Sequence, residues 1–241
     1  MKDALIIMAK APLPGQVKTR LCPPLTLEEA AELHRCFLLD TLELALRLPG
    51  VELHLAYHPP EAEELLPWPD GPDRQSLIPP RFQMWPQEGK DLAQRLDHAF
   101  RRLLVQGHGR VVAIGADSPT LPLVCLKRAF ELLRAPHYDL VLGPSEDGGY
   151  YLIGLKAPCP SLFLGVPMGS DRVLSETLRR ARQAGLRVTF LPTWYDVDRP
   201  QELDRLRAEL ESASLEVVPH TQAFLRRLTS PGVGVRACSG A

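Results

Sequence analysis

The chain has 241 residues, and 45% of them are hydrophobic, which is enough apolar material to fill one α/β core. Its 28 basic residues nearly balance its 29 acidic residues, so the chain lacks the overall positive field of proteins that hold nucleic acid by the phosphate backbone. We therefore expect no nucleic-acid partner, because a small anionic ligand fits this charge balance better.

Short apolar runs alternate with amphipathic stretches along the chain. The runs predict strands near residues 4–8, 51–57, 81–85, 110–115, 138–143, 150–155 and 187–191. The stretches between them, with apolar residues three and four apart, predict helices at 27–48, 91–106, 122–134, 171–184 and 200–210. This alternation predicts an α/β fold with a mostly parallel sheet and helices on both faces. Residues 144–149 are too few for a parallel crossover, so we expect an antiparallel sixth strand.

The predicted elements indicate one domain over residues 1–210, followed by a C-terminal helical extension at 211–229 and a disordered tail at 230–241. The helical pattern at 217–228 fits packing on this domain or on a second subunit, which leaves the oligomeric state open.

Cysteine usage and the first apolar run bear on location. The five cysteines are odd in number, scattered and without a C-x-x-C pair, which predicts reduced thiols; they are Cys22, Cys36, Cys125, Cys159 and Cys238. The apolar run at residues 4–8 is shorter than a signal peptide or a membrane span. We expect a cytoplasmic protein with no integral membrane segment.

Asp117 is the first candidate functional residue, because it follows an apolar strand in the sequence Gly115-Ala116-Asp117. A parallel strand that ends in this way delivers a carboxylate to the sheet edge where α/β proteins bind ligands. Further carboxylates follow downstream at Asp147, Asp196 and Asp198. Carboxylates gathered at such an edge suit a divalent cation that grips phosphate oxygens, which predicts a metal-assisted nucleotide or nucleotide-sugar transferase.

The loop after the first strand carries three cations, Lys10, Lys18 and Arg20, around the flexible Gly15. Backbone N–H groups near a glycine can approach an anion closely, and lysine with arginine supplies the charges used on di- and triphosphates. The Gly-Lys-Ser/Thr core of a Walker A loop is missing. The segment therefore predicts a phosphate-binding loop of another kind, with a solvated basic loop as the alternative.

Two later segments combine carboxylates with turn signals. In Glu146-Asp147-Gly148-Gly149 the glycines would let the backbone pass close to a ligand, although the same residues are typical of an ordinary turn. In Asp196-Val197-Asp198-Arg199-Pro200 one carboxylate suffices to cap the following helix. The other is then available to a metal ion, and we favour Asp198 over Asp196.

Four segments in this order resemble motifs of the nucleotide-diphospho-sugar transferase superfamily, which has a GT-A-like fold. They are Lys10-Ala11-Pro12 through Lys18-Thr19-Arg20, Gly115-Ala116-Asp117-Ser118-Pro119, Glu146-Asp147-Gly148-Gly149-Tyr150, and Asp196-Val197-Asp198-Arg199-Pro200-Gln201-Glu202-Leu203. The likeness spans most of residues 1–210. It is strongest to a bacterial branch of glycosyltransferase A or arsenosugar-biosynthesis-type glycosyltransferases, which is similar to phospholactate and molybdenum-cofactor guanylyltransferases.

The resemblance implies that Asp117 and Asp198 bind Mg²⁺ or Mn²⁺ and that Lys18 is both a catalytic and a phosphate-binding group. The other implied nucleotide-binding positions are Ala9, Lys10, Pro14, Gly15, Arg20, Arg95, Gly148 and Gly149. Three departures leave the subclass open. Ala93 stands where relatives tend to have glycine, Asp117-Ser118-Pro119 is not Asp-x-Asp, and the first loop is not Gly-x-Gly-x-Arg.

Two reactions fit these motifs, each with a nucleotide or nucleotide-sugar donor and a small-molecule acceptor. Glycosyl transfer, which we favour, needs a general base at the acceptor hydroxyl, and Asp147 is the candidate. Nucleotidyl transfer from a nucleoside triphosphate would expel pyrophosphate, with Arg172 available for a phosphorylated acceptor. A non-catalytic nucleotide-sugar binding module is the remaining alternative. The histidines lack ligand spacing apart from His54 and His58, which lie on a strand and at its exit and so cannot mimic a helical ligand pair. We therefore expect no zinc site.

Overall fold

The computed structural model describes residues 2–65, 79–212 and 218–229, so the predicted tail at 230–241 lies outside the described residues. Seven strands form one sheet: β1 Lys2–Lys10, β2 Val51–His58, β3 Phe82–Pro86, β4 His108–Ile114, β5 Leu140–Pro144, β6 Tyr150–Leu155 and β7 Val188–Phe190. The helices are α1 Leu27–Leu46, α2 Leu92–Val105, α3 Leu123–Arg134, α4 Val173–Gln183, α5 Pro200–Ser212 and α6 Pro219–Thr229. The predicted strands and helices are confirmed, with shifts of a few residues at their ends.

The strand order is β3-β2-β1-β4-β6-β5-β7. Every neighbouring pair is parallel except β4–β6 and β5–β6, so the prediction of an antiparallel sixth strand is confirmed. The cause is the short connection at residues 145–149, which returns the chain directly to the sheet. As a result, β6 begins at the edge where β1 and β4 end, and this edge carries the candidate site.

Alternate residues of the buried strands face opposite layers of helices. Leu5 and Ile7 of β1 belong to a core shared with α1 and α3, whereas Ala4 and Ile6 face α2 and α4. Thr26 and Glu29 form a reciprocal capping box at the start of α1, which fixes where that helix begins. Both faces of the sheet are thus covered, as the near-continuous apolar strands predict.

The C-terminal helix α6 packs on α1 of the same chain, in a third apolar cluster that also includes α5. The buried carboxylate of Asp40 accepts hydrogen bonds from the backbone N–H groups of His220 at 3.0 Å and Thr221 at 2.9 Å, and so caps α6 from a neighbouring helix. Among the described residues, no helix combines the length and the apolar character needed to cross a membrane.

Candidate active site

A cavity of about 570 Å³ opens at the sheet edge where β1 and β4 end and β6 begins. Its floor is apolar and includes Met8, Ala113 and Ile153. Polar side chains from both chain halves surround this floor. Most of the site residues predicted from sequence line the cavity, namely Ala9, Lys10, Lys18, Arg20, Arg95, Asp117 and Asp198.

Lys18 joins the first loop to the two predicted metal ligands. Its ammonium forms an ion pair with Asp117 and donates hydrogen bonds to Asp198 Oδ1 at 2.8 Å and to the Val197 carbonyl at 2.8 Å. The Lys18 side chain is 3% exposed, whereas Asp117 and Asp198 are 43% and 44% exposed. Lys18 also has φ 50°, in the left-handed region that non-glycine residues rarely adopt, just before a 3-10 turn at Thr19–Leu21. The strained backbone aims this lysine at the carboxylates.

A backbone hydrogen bond brings the two carboxylates together from distant parts of the chain. The N–H of Val197 donates to the carbonyl of Asp117 at 2.8 Å, which holds the segment after β7 against the loop after β4. Asp198 therefore lies beside Asp117 although 81 positions separate them along the sequence. The contact depends on strand order, and local sequence carries no sign of it.

The charges in this group shift one another's protonation. Burial by itself would lower the pKa of Lys18, but the neighbouring Asp117 and Asp198 outweigh it and raise that pKa above the usual value. Burial opposes ionisation of Asp117, yet the ammonium of Lys18 lowers its pKa to about 2. Lys18 and Asp117 are consequently both charged at neutral pH.

Asp196 is a third carboxylate on the cavity wall, with different surroundings. One of its oxygens accepts a hydrogen bond from the Ser118 hydroxyl, and the other accepts one from the Ser145 hydroxyl at 3.0 Å. Burial and the nearby charge of Asp117 raise the pKa of Asp196 to about 6, although the serine hydrogen bonds oppose the rise. Asp196 thus titrates close to neutral pH, as a general base does.

His34 lines the cavity as well, although no motif in the sequence singles it out. It lies in the middle of α1, where its spacing is that of the buried helix face. Its Nε2 is 3.1 Å from the Lys10 carbonyl, and its Nδ1 is 3.9 Å from Asp117 Oδ1. Burial, together with the charge of Lys18, lowers the pKa of His34 and keeps the ring neutral.

Gln87 is another lining residue, and it lies in the segment that leads into α2. Its side-chain amide is buried and donates to the carbonyls of Ala9 at 3.1 Å and Ala56 at 2.7 Å, at the ends of β1 and β2. Nearby, Arg95 donates from Nε to the Gly89 carbonyl at 3.1 Å. The segment from Gln87 to Arg95 therefore forms a wall of the cavity.

Several predicted site residues lie outside the lining of the cavity. Asp147 is exposed, and its Oδ1 accepts the N–H of Gly149 at 2.9 Å, so it closes a local turn. Gly148 has φ 89°, and a Cβ there would lie 2.2 Å from the Asp171 carbonyl oxygen. Packing against Asp171 therefore accounts for glycine at this position. Pro14, Gly15 and Arg172 also lie off the lining.

The donor set of the cavity fits a divalent cation. Asp117, Asp196 and Asp198 supply hard carboxylate oxygens, which suit Mg²⁺ and Mn²⁺. Asp117 and Asp198 are the pair bridged by Lys18, so an ion bound there would replace or displace an ammonium already drawn to the same oxygens.

Two other groups of potential ligands lie elsewhere among the described residues, and hydrogen bonds occupy most of their members. Glu52, His54 and His108 meet at the opposite edge of the sheet, where His108 Nε2 is 2.7 Å from Glu52 and its Nδ1 is 2.9 Å from the Leu103 carbonyl. In the second group, Asp40, Glu43 and His220, the carboxylate of Asp40 caps α6.

Comparison with known proteins agrees with this fold. A bacterial family, described as "Uncharacterized protein conserved in bacteria (DUF2064)", matches residues 41–170. A crystal structure of a "putative nucleotide-diphospho-sugar transferase" from Desulfovibrio desulfuricans G20 is 34% identical to this chain, covers 94% of it and 95% of its own length, and superposes with a TM-score of 0.81. A comparison with curated proteins found no match.

More distant structures share the fold alone. CMP:2-keto-3-deoxy-manno-octonic acid synthetase, in complex with CTP, is 14% identical over 88% of this chain and 99% of its own, with a TM-score of 0.54. The 4-diphosphocytidyl-2C-methyl-D-erythritol synthase of Anaerococcus prevotii is 9% identical over 87% of this chain and 96% of its own, with a TM-score of 0.52. At these identities the likeness concerns the architecture, since one fold hosts many reactions.

Proposed function

Because this chain belongs to the bacterial family DUF2064 and to the nucleotide-diphospho-sugar transferase superfamily, we propose that it is a divalent-metal-dependent glycosyltransferase that uses a nucleotide sugar as donor. The class of enzyme, a transferase of nucleotide or sugar groups, follows from the membership. The observation that supports the finer proposal is that Asp117, Asp196 and Asp198 line one cavity and that Lys18 pairs with Asp117 and Asp198.

The cations of the cavity are placed for a diphosphate. Four cations line it: Lys10, Lys18, Arg20 and Arg95. Several of them could therefore pair with the phosphates of one nucleotide. Asp117 and Asp198 would hold Mg²⁺ or Mn²⁺, which would neutralise the charge that develops on the departing nucleoside diphosphate. Lys18 would then be freed from the carboxylates and would contact the phosphates directly.

One carboxylate of the cavity favours sugar transfer. Attack by a hydroxyl requires a general base, and Asp196 lies on the cavity wall with a pKa of about 6. We assign it this role ahead of Asp147, which is exposed and closes a turn. A phosphorylated acceptor would instead need a cation of its own, and Arg172 lies outside the lining.

The partners are a nucleotide-sugar donor and a small-molecule acceptor. A cytoplasmic location is part of the proposal, and it suits the four cysteines of the described residues, which are unpaired.

The test is a thermal-shift panel of nucleoside diphosphates, triphosphates and nucleotide sugars, each with and without Mg²⁺ or Mn²⁺, followed by product analysis. We expect metal-dependent stabilisation by a nucleotide sugar and release of its nucleoside diphosphate in the presence of an acceptor. Asp117→Asn should lose the metal-dependent part, about 2 kcal/mol or more at saturating ligand, while keeping its fold. The matched control is Asp204→Asn, which removes a carboxylate that is 73% exposed.

The panel separates the alternatives. Stabilisation by a triphosphate, with pyrophosphate release, would replace glycosyl transfer by nucleotidyl transfer. Tight nucleotide binding without metal and without turnover would point to a binding module. Metal-dependent affinity that is unchanged in Asp117→Asn would refute the assigned ligand.

A further inference from the structure

His34 lies at the inner end of the carboxylate group, and its ring is held in one tautomer. Its Nε2 is 3.1 Å from the carbonyl oxygen of Lys10, an atom that can only accept a hydrogen bond. The proton of the neutral ring therefore lies on Nε2 and leaves Nδ1 with a free lone pair. A backbone carbonyl that holds one ring nitrogen is the arrangement that orients histidine ligands of metal ions.

The free nitrogen has no hydrogen-bond partner within the described residues. His34 is 4% exposed, its Nδ1 is buried, and the side chain lines the cavity. A buried polar atom left unpaired costs about 1–3 kcal/mol, so such an atom at a ligand cavity needs an explanation. Its neighbours Leu33 and Phe37 on α1 are fully buried apolar residues.

The distance to the carboxylates suits a shared ion. Nδ1 of His34 lies 3.9 Å from Asp117 Oδ1. Two ligands that each lie about 2.1 Å from one ion are about 3 Å apart when adjacent and about 4.2 Å apart when opposite. The observed separation falls inside this range. The oxygen of Asp117 that faces His34 is also the one paired with Lys18, which places the imidazole and the ammonium around the same point.

We propose that His34 Nδ1 is a ligand of the divalent ion held by Asp117 and Asp198, and that it makes the site selective for Mn²⁺ over Mg²⁺. Mn²⁺ is a first-row transition metal and accepts an imidazole nitrogen more readily than Mg²⁺, which prefers oxygen ligands alone. A site of two carboxylates and one imidazole therefore differs more in its affinities for Mn²⁺ and Mg²⁺ than a site of carboxylates alone. This inference rests on the proposed metal site.

The direct test is pulsed EPR of the wild-type protein loaded with one equivalent of Mn²⁺. A bound imidazole gives the manganese spin a nitrogen coupling, and we expect to observe it. Titration should show Mn²⁺ binding at least about 10-fold more tightly than Mg²⁺. A Mn²⁺ spectrum without nitrogen coupling would overturn the proposal, and it would do so without any variant that might fail to fold.

Two variants separate a ligand from a residue that only positions the first loop. His34→Gln places an amide nitrogen near Nε2, keeps a donor for the Lys10 carbonyl and removes Nδ1. We expect it to weaken Mn²⁺ binding by about 10- to 100-fold, to change Mg²⁺ binding by less than about 3-fold, and to abolish the nitrogen coupling. His34→Asn keeps a polar atom near Nδ1 and loses the Lys10 contact. If Asn impairs metal binding and Gln does not, His34 positions the loop and is not a ligand.

Two controls distinguish failure of the His34 assignment from failure of the proposed metal site and function. His137→Gln changes an exposed histidine away from the cavity and should behave as wild type. Asp117→Asn should lose Mn²⁺ and Mg²⁺ together. If neither ion binds the wild-type protein, the metal site itself is refuted; if both bind equally and His34→Gln has no effect, only the role of His34 is refuted.

Discussion

Replacing Lys18 by methionine removes the one ammonium between Asp117 and Asp198 and should have two opposite effects. Loss of one partner from a fully buried ion pair costs about 3–5 kcal/mol. The two carboxylates are 43% and 44% exposed, so water compensates part of this loss. We expect metal-free Lys18→Met to be about 1–3 kcal/mol less stable than wild type at pH 7.5, which lowers Tm by about 2–10 °C for a chain of this size.

The same change should strengthen metal binding in the absence of nucleotide. Without the ammonium, a divalent ion has no competitor for the two carboxylates, and their mutual repulsion favours it further. Mg²⁺ or Mn²⁺ should therefore raise the Tm of Lys18→Met more than that of wild type. The nucleotide affinity of the variant should nevertheless fall, because the phosphates lose a cation.

The pH dependence of this variant has a defined sign. In wild type the pKa of Asp117 is about 2, below its ordinary value, so the pairing stabilises the fold above about pH 4 and the stabilisation is lost as the pH falls toward 2. The two proteins should therefore differ most at neutral pH and converge in acid.

Urea denaturation from pH 3 to 8, with Lys127→Met as an exposed control, measures this difference. Equal stability across that range would refute the ion-pair assignment. Equal stabilisation by metal would show that Lys18 and the ion do not compete.

Two further predictions concern the remaining carboxylate and the glycine turn. Gly148→Ala should lower the free energy of unfolding by about 2–5 kcal/mol, because φ is 89° and the new Cβ would lie 2.2 Å from the Asp171 carbonyl oxygen. At Gly169, φ is 85° and no atom lies within 4 Å of a new Cβ, so Gly169→Ala should lower it by only about 1–2 kcal/mol. Similar costs by urea denaturation would contradict the packing account of Gly148. Asp196 has a raised pKa of about 6, so it favours the folded state below about pH 4 and loses this contribution as the pH rises through 6. Asp196→Asn should therefore be about 1–3 kcal/mol more stable than metal-free wild type at pH 7.5, and this gain should vanish near pH 4. The variant should also lose activity. A stability difference that stays constant with pH would exclude titration of Asp196 as the cause.

Much of the fold could be predicted from local sequence. The period of the apolar residues located the strands and helices, because burial of one face imposes that spacing on each element separately. The short connection at 144–149 was enough to predict the antiparallel β6, since a parallel crossover needs more chain. Asp117 was recognisable because a strand that ends in Gly-x-Asp carries its carboxylate to the ligand-binding edge.

The partners within the site could not be predicted in this way. Lys18 meets Asp198 across 180 positions, and His34 meets Asp117 from the middle of a helix whose pattern is that of an ordinary core helix. Likewise, Gly148 was read as a ligand contact, while its close neighbour is the backbone of Asp171.

Local sequence is sufficient for the elements, their alternation and the strand end that carries Asp117, because neighbouring residues set local conformation and burial. The three-dimensional arrangement is needed to know which side chains share the cavity, which ring nitrogen of His34 stays free and which carboxylate titrates near neutrality. Those properties depend on strand order and on the charges that the order brings within a few ångströms, and no short stretch of sequence contains either.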